Sequence, residues 1–148
     1  MQLLPYILAA VLVGALISAQ PAWNALIARS IGSSFGAVAI NTFIALCCSL
    51  ALLAWVGTGR ISVATLIAAP WWAYLAGVVG AVFVASGVFI APVTGALVFF
   101  VCVITGQLIG STLADHFGAF GLEVKEFSLS RMLGLAMVIS GAILVSTG

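Results

Sequence analysis

The sequence predicts an all-α integral membrane protein with five transmembrane helices. Of its 148 residues, 65% are hydrophobic and 5% are charged, whereas soluble domains contain roughly 25% charged residues. Such a chain has too little polar surface to coat a soluble globule. The charges also avoid the middle of every long apolar run, because a charge at the bilayer centre costs roughly 2.5–3.5 kcal/mol on insertion scales. The charged residues are Arg29, Arg60, Asp115, Glu123, Lys125, Glu126 and Arg131.

The first two apolar runs are separated by a short turn. A transmembrane helix needs about 20 mostly apolar residues, and the first is predicted at about residues 3–28. No Lys or Arg precedes it, and Ile17–Ala19 is a poor cleavage site, so we expect a retained span rather than a signal peptide. The second helix is predicted at about residues 35–56, after the turn Gly32–Ser34.

The middle of the chain contains no charge between residues 61 and 114, so proline and glycine must divide it. The run 61–68 is too short to span, and we expect it at the membrane interface. Pro92 and Gly95 are predicted to end the third span, because proline disfavours helix at the preceding residue and glycine permits a tight turn. The remaining spans are predicted at about residues 71–91, 95–114 and 131–146.

The count of five has a topological consequence. Four spans would require the first run to be cleaved, and six would require 61–68 to cross. With five, the termini lie on opposite sides of the membrane, so two copies form an inverted pair only if they insert in opposite directions. Arg60, Lys125 and Arg131 lie on the side of the N-terminus and Arg29 on the other. This small bias favours a cytoplasmic N-terminus but permits dual topology.

Polar side chains within the spans are the candidate functional residues. Gln20 and Asn24 are four apart, hence on one helical face, and Pro21 is predicted to break the helix beside them. Asn41 and Gln107 lie inside the second and fourth spans. A buried amide must bond another helix or water. Two interpretations stay open: these amides line a polar cavity, or they only join helices and, for Gln20 and Asn24, sit near a helix end.

Two other groups have both structural and functional interpretations. Asp115 and His116 are adjacent titratable residues, which suits either a helix cap before Gly118 or a proton-linked step. Small residues recur on one face of two helices, where they allow close packing within one protomer or across a dimer. These are Gly106 and Gly110 in the fourth span and Gly134 and Gly141 in the fifth.

Most other function classes lack support in the sequence. No Ser/His/Asp set, paired intramembrane carboxylate, phosphate-binding loop or metal spacing is present, so we expect neither an enzyme nor a cofactor or metal site. A net charge of +1 gives no basic field for nucleic acid. The cysteines Cys47, Cys48 and Cys102 lie inside apolar runs, where we expect small buried packing residues rather than disulfides. Thr105 and Ser111 are expected to bond their own helix backbones.

Several segments together resemble one family across essentially the whole chain. It is the YdcZ-like family of small bacterial inner-membrane proteins in the drug/metabolite transporter superfamily, related to the small multidrug resistance exporters. The last helix is similar to the dimer-forming last helix of those exporters. The segments are Gln20–Asn24, Gly32-Ser33, Thr94–Ala96, and the most specific block, Gly106–Leu108 through Asp115–Gly118.

The resemblance implies a half-size transporter in the bacterial inner membrane. Larger relatives contain two inverted five-helix repeats, so this chain is expected to pair antiparallel with itself or with a paralogue. The multidrug exporters use a Glu in the first helix for proton exchange, whereas the first helix here offers Ser18, Gln20 and Asn24. A neutral or amphipathic substrate is therefore expected at Ser18, Gln20, Asn24, Asn41 and Gln107. The alternative is a non-transporting subunit whose polar residues only pack helices.

Overall fold

The structure, a computed structural model, describes residues 3–57, 59, 61–121, 123–125 and 128–147. Within these residues all regular structure is helical, and five helices are long and apolar enough to cross a membrane, as predicted. The third of these spans is Trp71–Thr94, which contains a 3-10 turn followed by two helices. The helices are α1 Leu4–Ile31, α2 Ser34–Val56, α3 Val63–Ala68, α4 Leu75–Phe89, α5 Ala91–Thr94, α6 Ala96–Phe117 and α7 Leu129–Thr147.

The turn between α1 and α2 is short and well defined. Gly32 ends α1 with a left-handed φ of 69°, and its N–H donates to the Ala28 carbonyl. Ser33 then caps α2, because its Oγ accepts from the Gly36 N–H at 3.0 Å. The predicted turn is confirmed, but α1 extends beyond residue 28. Arg29 therefore lies in the last turn of α1, where a cation is favoured by the helix dipole.

Proline and glycine divide the uncharged middle of the chain near the predicted positions. Pro92 lies in the first turn of α5, where its missing N–H leaves no helical bond unmade. Gly95 follows with φ of 83°, a conformation that favours glycine, and α6 begins at the next residue. The third span thus ends at Thr94 rather than at residue 91.

The helices on either side of the charged loop are longer than predicted. α6 continues past residue 114 to Phe117 and ends at Gly118, whose φ is 59°. Asp115 and His116 therefore belong to the last helical turn rather than to the loop. α7 begins two residues earlier than predicted, so Arg131 lies in its first turn. Arg60, one of the four cations that set the predicted topology, lies outside the described residues, as does Glu126.

The chain divides into two compact units, residues 1–93 and 94–148. In the first unit α1, α2 and α4 pack against one another, and the rings of Phe35 and Phe89 lie 5.1 Å apart. In the second unit α6 packs against α7. Few side chains are buried, and most large apolar ones are exposed, as expected for a chain whose surroundings are lipid. Cys47, Cys48 and Cys102 are also exposed, so the expectation that they are buried is wrong.

The short helix α3 is tied to the start of the third span. Its six residues are too few to cross a bilayer, and Ser62 and Thr65 form a capping box at its start. The Tyr74 hydroxyl donates to the carbonyl oxygen of Leu66 at 2.7 Å. This bond fixes α3 against the aromatic turn Trp71–Tyr74. Its location at the membrane interface stays a prediction.

Replacing Tyr74 by Phe is expected to loosen α3. The variant loses a hydrogen bond worth about 1 kcal/mol, so amide exchange in α3 should accelerate about fivefold. Hydrogen–deuterium exchange of the purified protein measures this. Tyr6→Phe is the matched control, because Tyr6 is exposed on α1. Equal exchange in Y74F and the wild type would show that the Tyr74 bond does not hold α3.

Candidate functional site

Three amide side chains form a continuous hydrogen-bonded chain in the first unit. The Gln20 Nε2 group donates to Asn41 Oδ1 at 3.3 Å, and Asn41 Nδ2 donates to Asn24 Oδ1 at 3.0 Å. We call Gln20, Asn41 and Asn24 the amide chain. It joins α1 to α2 and is the main polar contact between two membrane-spanning helices in the described part of the first unit.

The sequence produces this contact through helical spacing and a tight turn. Gln20 and Asn24 are one turn apart on α1, so both side chains project from the same face. Asn24 and Asn41 are equally far along the chain from the Gly32-Ser33 turn. Two helices joined by so short a turn run side by side, which brings these two residues to the same depth. Asn41 therefore reaches both amides of α1.

The structure corrects one prediction at this site. Pro21 is buried and lies inside α1, which continues through it as a single helix from Leu4 to Ile31. The helix is thus not broken at Pro21, and α1 packs against both α2 and α4. The proline's missing N–H still leaves the Ile17 carbonyl without its usual donor.

The amide chain has unused hydrogen-bonding capacity at both ends. Asn24 is 2% exposed, and Gln20 and Asn41 are partly buried. Each primary amide has two N–H donors and one carbonyl acceptor. Among the described residues, Gln20 Oε1 and Asn24 Nδ2 have no hydrogen-bonding partner. The cluster therefore offers a free acceptor at one end and a free donor at the other, with no formal charge.

The other two predicted site residues are placed differently. The Ser18 hydroxyl donates to the Ala15 carbonyl of its own helix at 2.7 Å and is exposed. Gln107 lies in α6 of the second unit, and its side chain is exposed and forms no hydrogen bond with a described residue. The structure thus joins three of the five predicted residues. Thr105 and Ser111 bond their own helix backbones, as predicted.

Asp115 contacts a residue other than its neighbour in sequence. Its Oδ2 lies 3.7 Å from the Arg131 Nη1 of α7, while the His116 ring packs edge-on against Phe117, with ring centroids 5.1 Å apart. From the sequence, Asp115 was expected to act only together with His116. The contact between Asp115 and Arg131 could have been predicted from the sequence, because the two residues flank the same loop between the fourth and fifth spans.

The glycines predicted to pack helices face open space. A methyl group built on Gly106, Gly110, Gly134 or Gly141 would meet no heavy atom of the described chain within 4 Å. Packing within the described protomer therefore does not require them to be glycine. Close approach of a second molecule remains the untested alternative for this face.

Comparison with known proteins assigns the chain to one family. The family model described as "Putative inner membrane exporter, YdcZ" matches residues 5–144. This range extends from the start of α1 to the last turns of α7 and so includes all five spans. No curated protein and no solved structure matches the chain.

Replacing Asn41 by Leu is expected to destabilise the first unit more than any other single change to the amide chain. The substitution removes both bonds and leaves the buried Asn24 amide unsatisfied, at a cost of about 1–3 kcal/mol in the free energy of unfolding. Gln20→Leu removes only the terminal bond, worth about 0.6 kcal/mol between membrane helices. Unfolding in mixed micelles measures both. Thr42→Val, at an exposed neighbour of Asn41, is the control and should be nearly neutral.

If N41L unfolds at the same denaturant concentration as T42V, the amide chain does not hold α1 to α2. That result would contradict the energetic role assigned to it.

Proposed function

This chain belongs to the YdcZ family of inner membrane exporters, and on that premise we propose that it exports a neutral or amphipathic small molecule. It acts as half of a transporter, with the substrate path in a cavity between two five-helix copies of opposite orientation. No chemical reaction is part of this function. The chain is a multi-pass inner membrane protein, as the family and the five apolar helices indicate.

The observation that supports this proposal best is that the amide chain has donors and acceptors without hydrogen-bonding partners. Polar groups inside membrane helices are costly unless a partner satisfies them. Gln20 Oε1 and Asn24 Nδ2 have no such partner in the described protomer, and the Ile17 carbonyl beside them lacks its helical donor. A substrate with a hydroxyl, amide or ester group, or water in its absence, would complete these bonds.

The neutrality of the amide chain argues for a neutral substrate. A permanent cation that leaves water for a membrane site incurs a large desolvation cost, which a nearby opposite charge reduces. The hydroxyl and amide side chains of α1 between Gly14 and Arg29 are Ser18, Gln20 and Asn24, and the charge of this helix, Arg29, is in its last turn. Amides provide donors and acceptors without charge, which suits an uncharged or amphipathic molecule.

Two features support pairing with a second copy. Gln107 is exposed on a membrane-spanning helix, where its amide needs a partner outside the described protomer or water. Gly106 and Gly110 on the same helix face open space, which permits another helix to approach closely. An odd number of spans places the termini on opposite sides, so an antiparallel pair reproduces an inverted repeat. The pair consists of two copies of this chain or of this chain and a paralogue.

A second candidate function has one specific observation in its favour. A non-transporting subunit would use its amides only to join helices, and the Gln20–Asn41–Asn24 bonds do join α1 to α2. Gln107 separates the two hypotheses. It makes no such bond in the described protomer, so a purely structural role requires a partner helix to bury it.

Replacing Gln107 by Ala is expected to impair transport without destabilising the protomer. The variant loses one substrate hydrogen bond of about 1 kcal/mol, which lowers transport about fivefold, while its thermal midpoint stays within a degree or two of the wild type. Efflux of a neutral amphiphilic dye from proteoliposomes measures transport, with tetraphenylphosphonium as the cationic comparison. Ser111→Ala, one turn along α6, is the matched control, because its hydroxyl already bonds Leu108.

Equal losses of transport and of stability in Q107A would refute the cavity role of Gln107. Faster efflux of tetraphenylphosphonium than of the neutral dye would refute the substrate class.

A further inference from the structure

A cleft with a charged mouth and an apolar floor lies between α6 and α7 in the second unit. Its volume is about 350 Å³, within the range of roughly 300–1,000 Å³ of clefts that hold small ligands. Asp115 and Arg131 form the mouth, at the facing ends of the two helices. Leu108, Leu135 and Val138 line the floor. None of the residues of the proposed substrate site lines this cleft.

The two charged groups at the mouth keep most of their bonding capacity. They meet through one contact of 3.7 Å, and their side chains are 44% and 31% exposed for Arg131 and Asp115 respectively. A guanidinium has five N–H donors and a carboxylate has two acceptor oxygens, so several positions remain for a ligand. An exposed pair with this geometry contributes little stability by itself. Both signs of charge are therefore available side by side.

The rest of the cleft is suited to a hydrocarbon chain. Val138 lies two turns from Arg131 along α7, about 10 Å at 1.5 Å per residue, and Leu108 lies equally far from Asp115 along α6. The Ser111 and Thr112 hydroxyls donate to the Leu108 carbonyl, so neither has its proton free in the cleft. A side chain at Gly134 would meet nothing within 4 Å, so the floor is open.

We propose that this cleft binds phosphatidylethanolamine. The Arg131 guanidinium binds the phosphate, the Asp115 carboxylate binds the ammonium, and one acyl chain lies along Leu108, Leu135 and Val138. Charge-assisted hydrogen bonds of this kind are short and strong. Asp115 and Arg131 lie at helix ends, where lipid headgroups are expected, and the apolar floor then extends toward the bilayer centre.

The charge pattern separates this lipid from other membrane lipids. The mouth has one positive and one negative group, Arg131 and Asp115. A zwitterionic headgroup matches this pattern, whereas the anionic phosphatidylglycerol leaves Asp115 without a cation. Phosphatidylcholine has a quaternary ammonium with no N–H, so it cannot donate a hydrogen bond to the carboxylate.

Native mass spectrometry of the delipidated full-length protein tests the proposal. The protein is mixed with phosphatidylethanolamine, phosphatidylcholine or phosphatidylglycerol of identical acyl chains, and the bound fraction of each is measured. We expect the ethanolamine lipid to bind best. Arg131→Gln and Asp115→Asn should each weaken its binding about tenfold, through loss of a hydrogen bond to a charged group. Arg29→Gln, at an exposed arginine of the first unit, is the matched control and should bind like the wild type.

Thermal midpoints without lipid separate lipid binding from folding, and they should be nearly unchanged because the pair is exposed. If R131Q unfolds early, D115N decides the test. Equal binding of the ethanolamine and choline lipids, strongest binding of phosphatidylglycerol, or equal losses in R29Q and R131Q would overturn the proposal. Weaker dimerisation of R131Q with unchanged lipid binding would do so as well, since it would assign the cleft to a second copy.

Discussion

The structure depends on the absence of water in the bilayer core, which obliges polar groups to find partners within the protein. The hydroxyl groups of the spans meet this requirement locally, as Ser49 does by donating to the Ala45 carbonyl. The charged side chains satisfy this requirement by lying near helix ends, away from the middle of the spans. Arg29 and Asp115 lie in last helical turns and Arg131 lies in a first turn. A primary amide has two N–H donors and a carbonyl acceptor, more than its own helix satisfies, so it also needs another helix, water or a ligand. This requirement produces the Gln20–Asn41–Asn24 chain between α1 and α2.

The same constraint relates structure to function through the polar groups that the protomer leaves unsatisfied. In a dry, self-sufficient bundle the described amides would all be paired, yet Gln20 Oε1, Asn24 Nδ2 and the exposed Gln107 have capacity left. Such groups persist in a membrane protein only where water, a substrate or another copy completes their bonds. Because the chain belongs to a family of inner membrane exporters, we propose a substrate path as that partner. The same requirement applies to the cleft between α6 and α7, where we propose that a bound lipid pairs with the charged side chains at the mouth.

The sequence predicted much of the fold because the membrane imposes simple rules on length and charge. All five spans were found from apolar length, aromatic residues and glycine or proline punctuation. The ends near charges were wrong by up to three residues, because Arg29 and Asp115 are tolerated in terminal turns that glycine then closes. Helical spacing also placed Gln20 and Asn24 on one face. It could not identify Asn41 as their shared partner, because that contact depends on how the α1–α2 hairpin aligns.

The pairing of Asp115 with Arg131 was missed because Asp115 was grouped with its neighbour His116. Adjacent residues on a helix do not face each other.

In the transporter that we propose, two copies in opposite orientations share a polar cavity at their amide side chains. Electron cryo-microscopy of the purified protein in lipid nanodiscs tests it most directly. We expect a pair whose symmetry axis lies in the membrane plane, with density for water or a bound molecule beside Asn24 and Gln107. An axis along the membrane normal, or a dry interface in which every amide bonds another side chain, would contradict it.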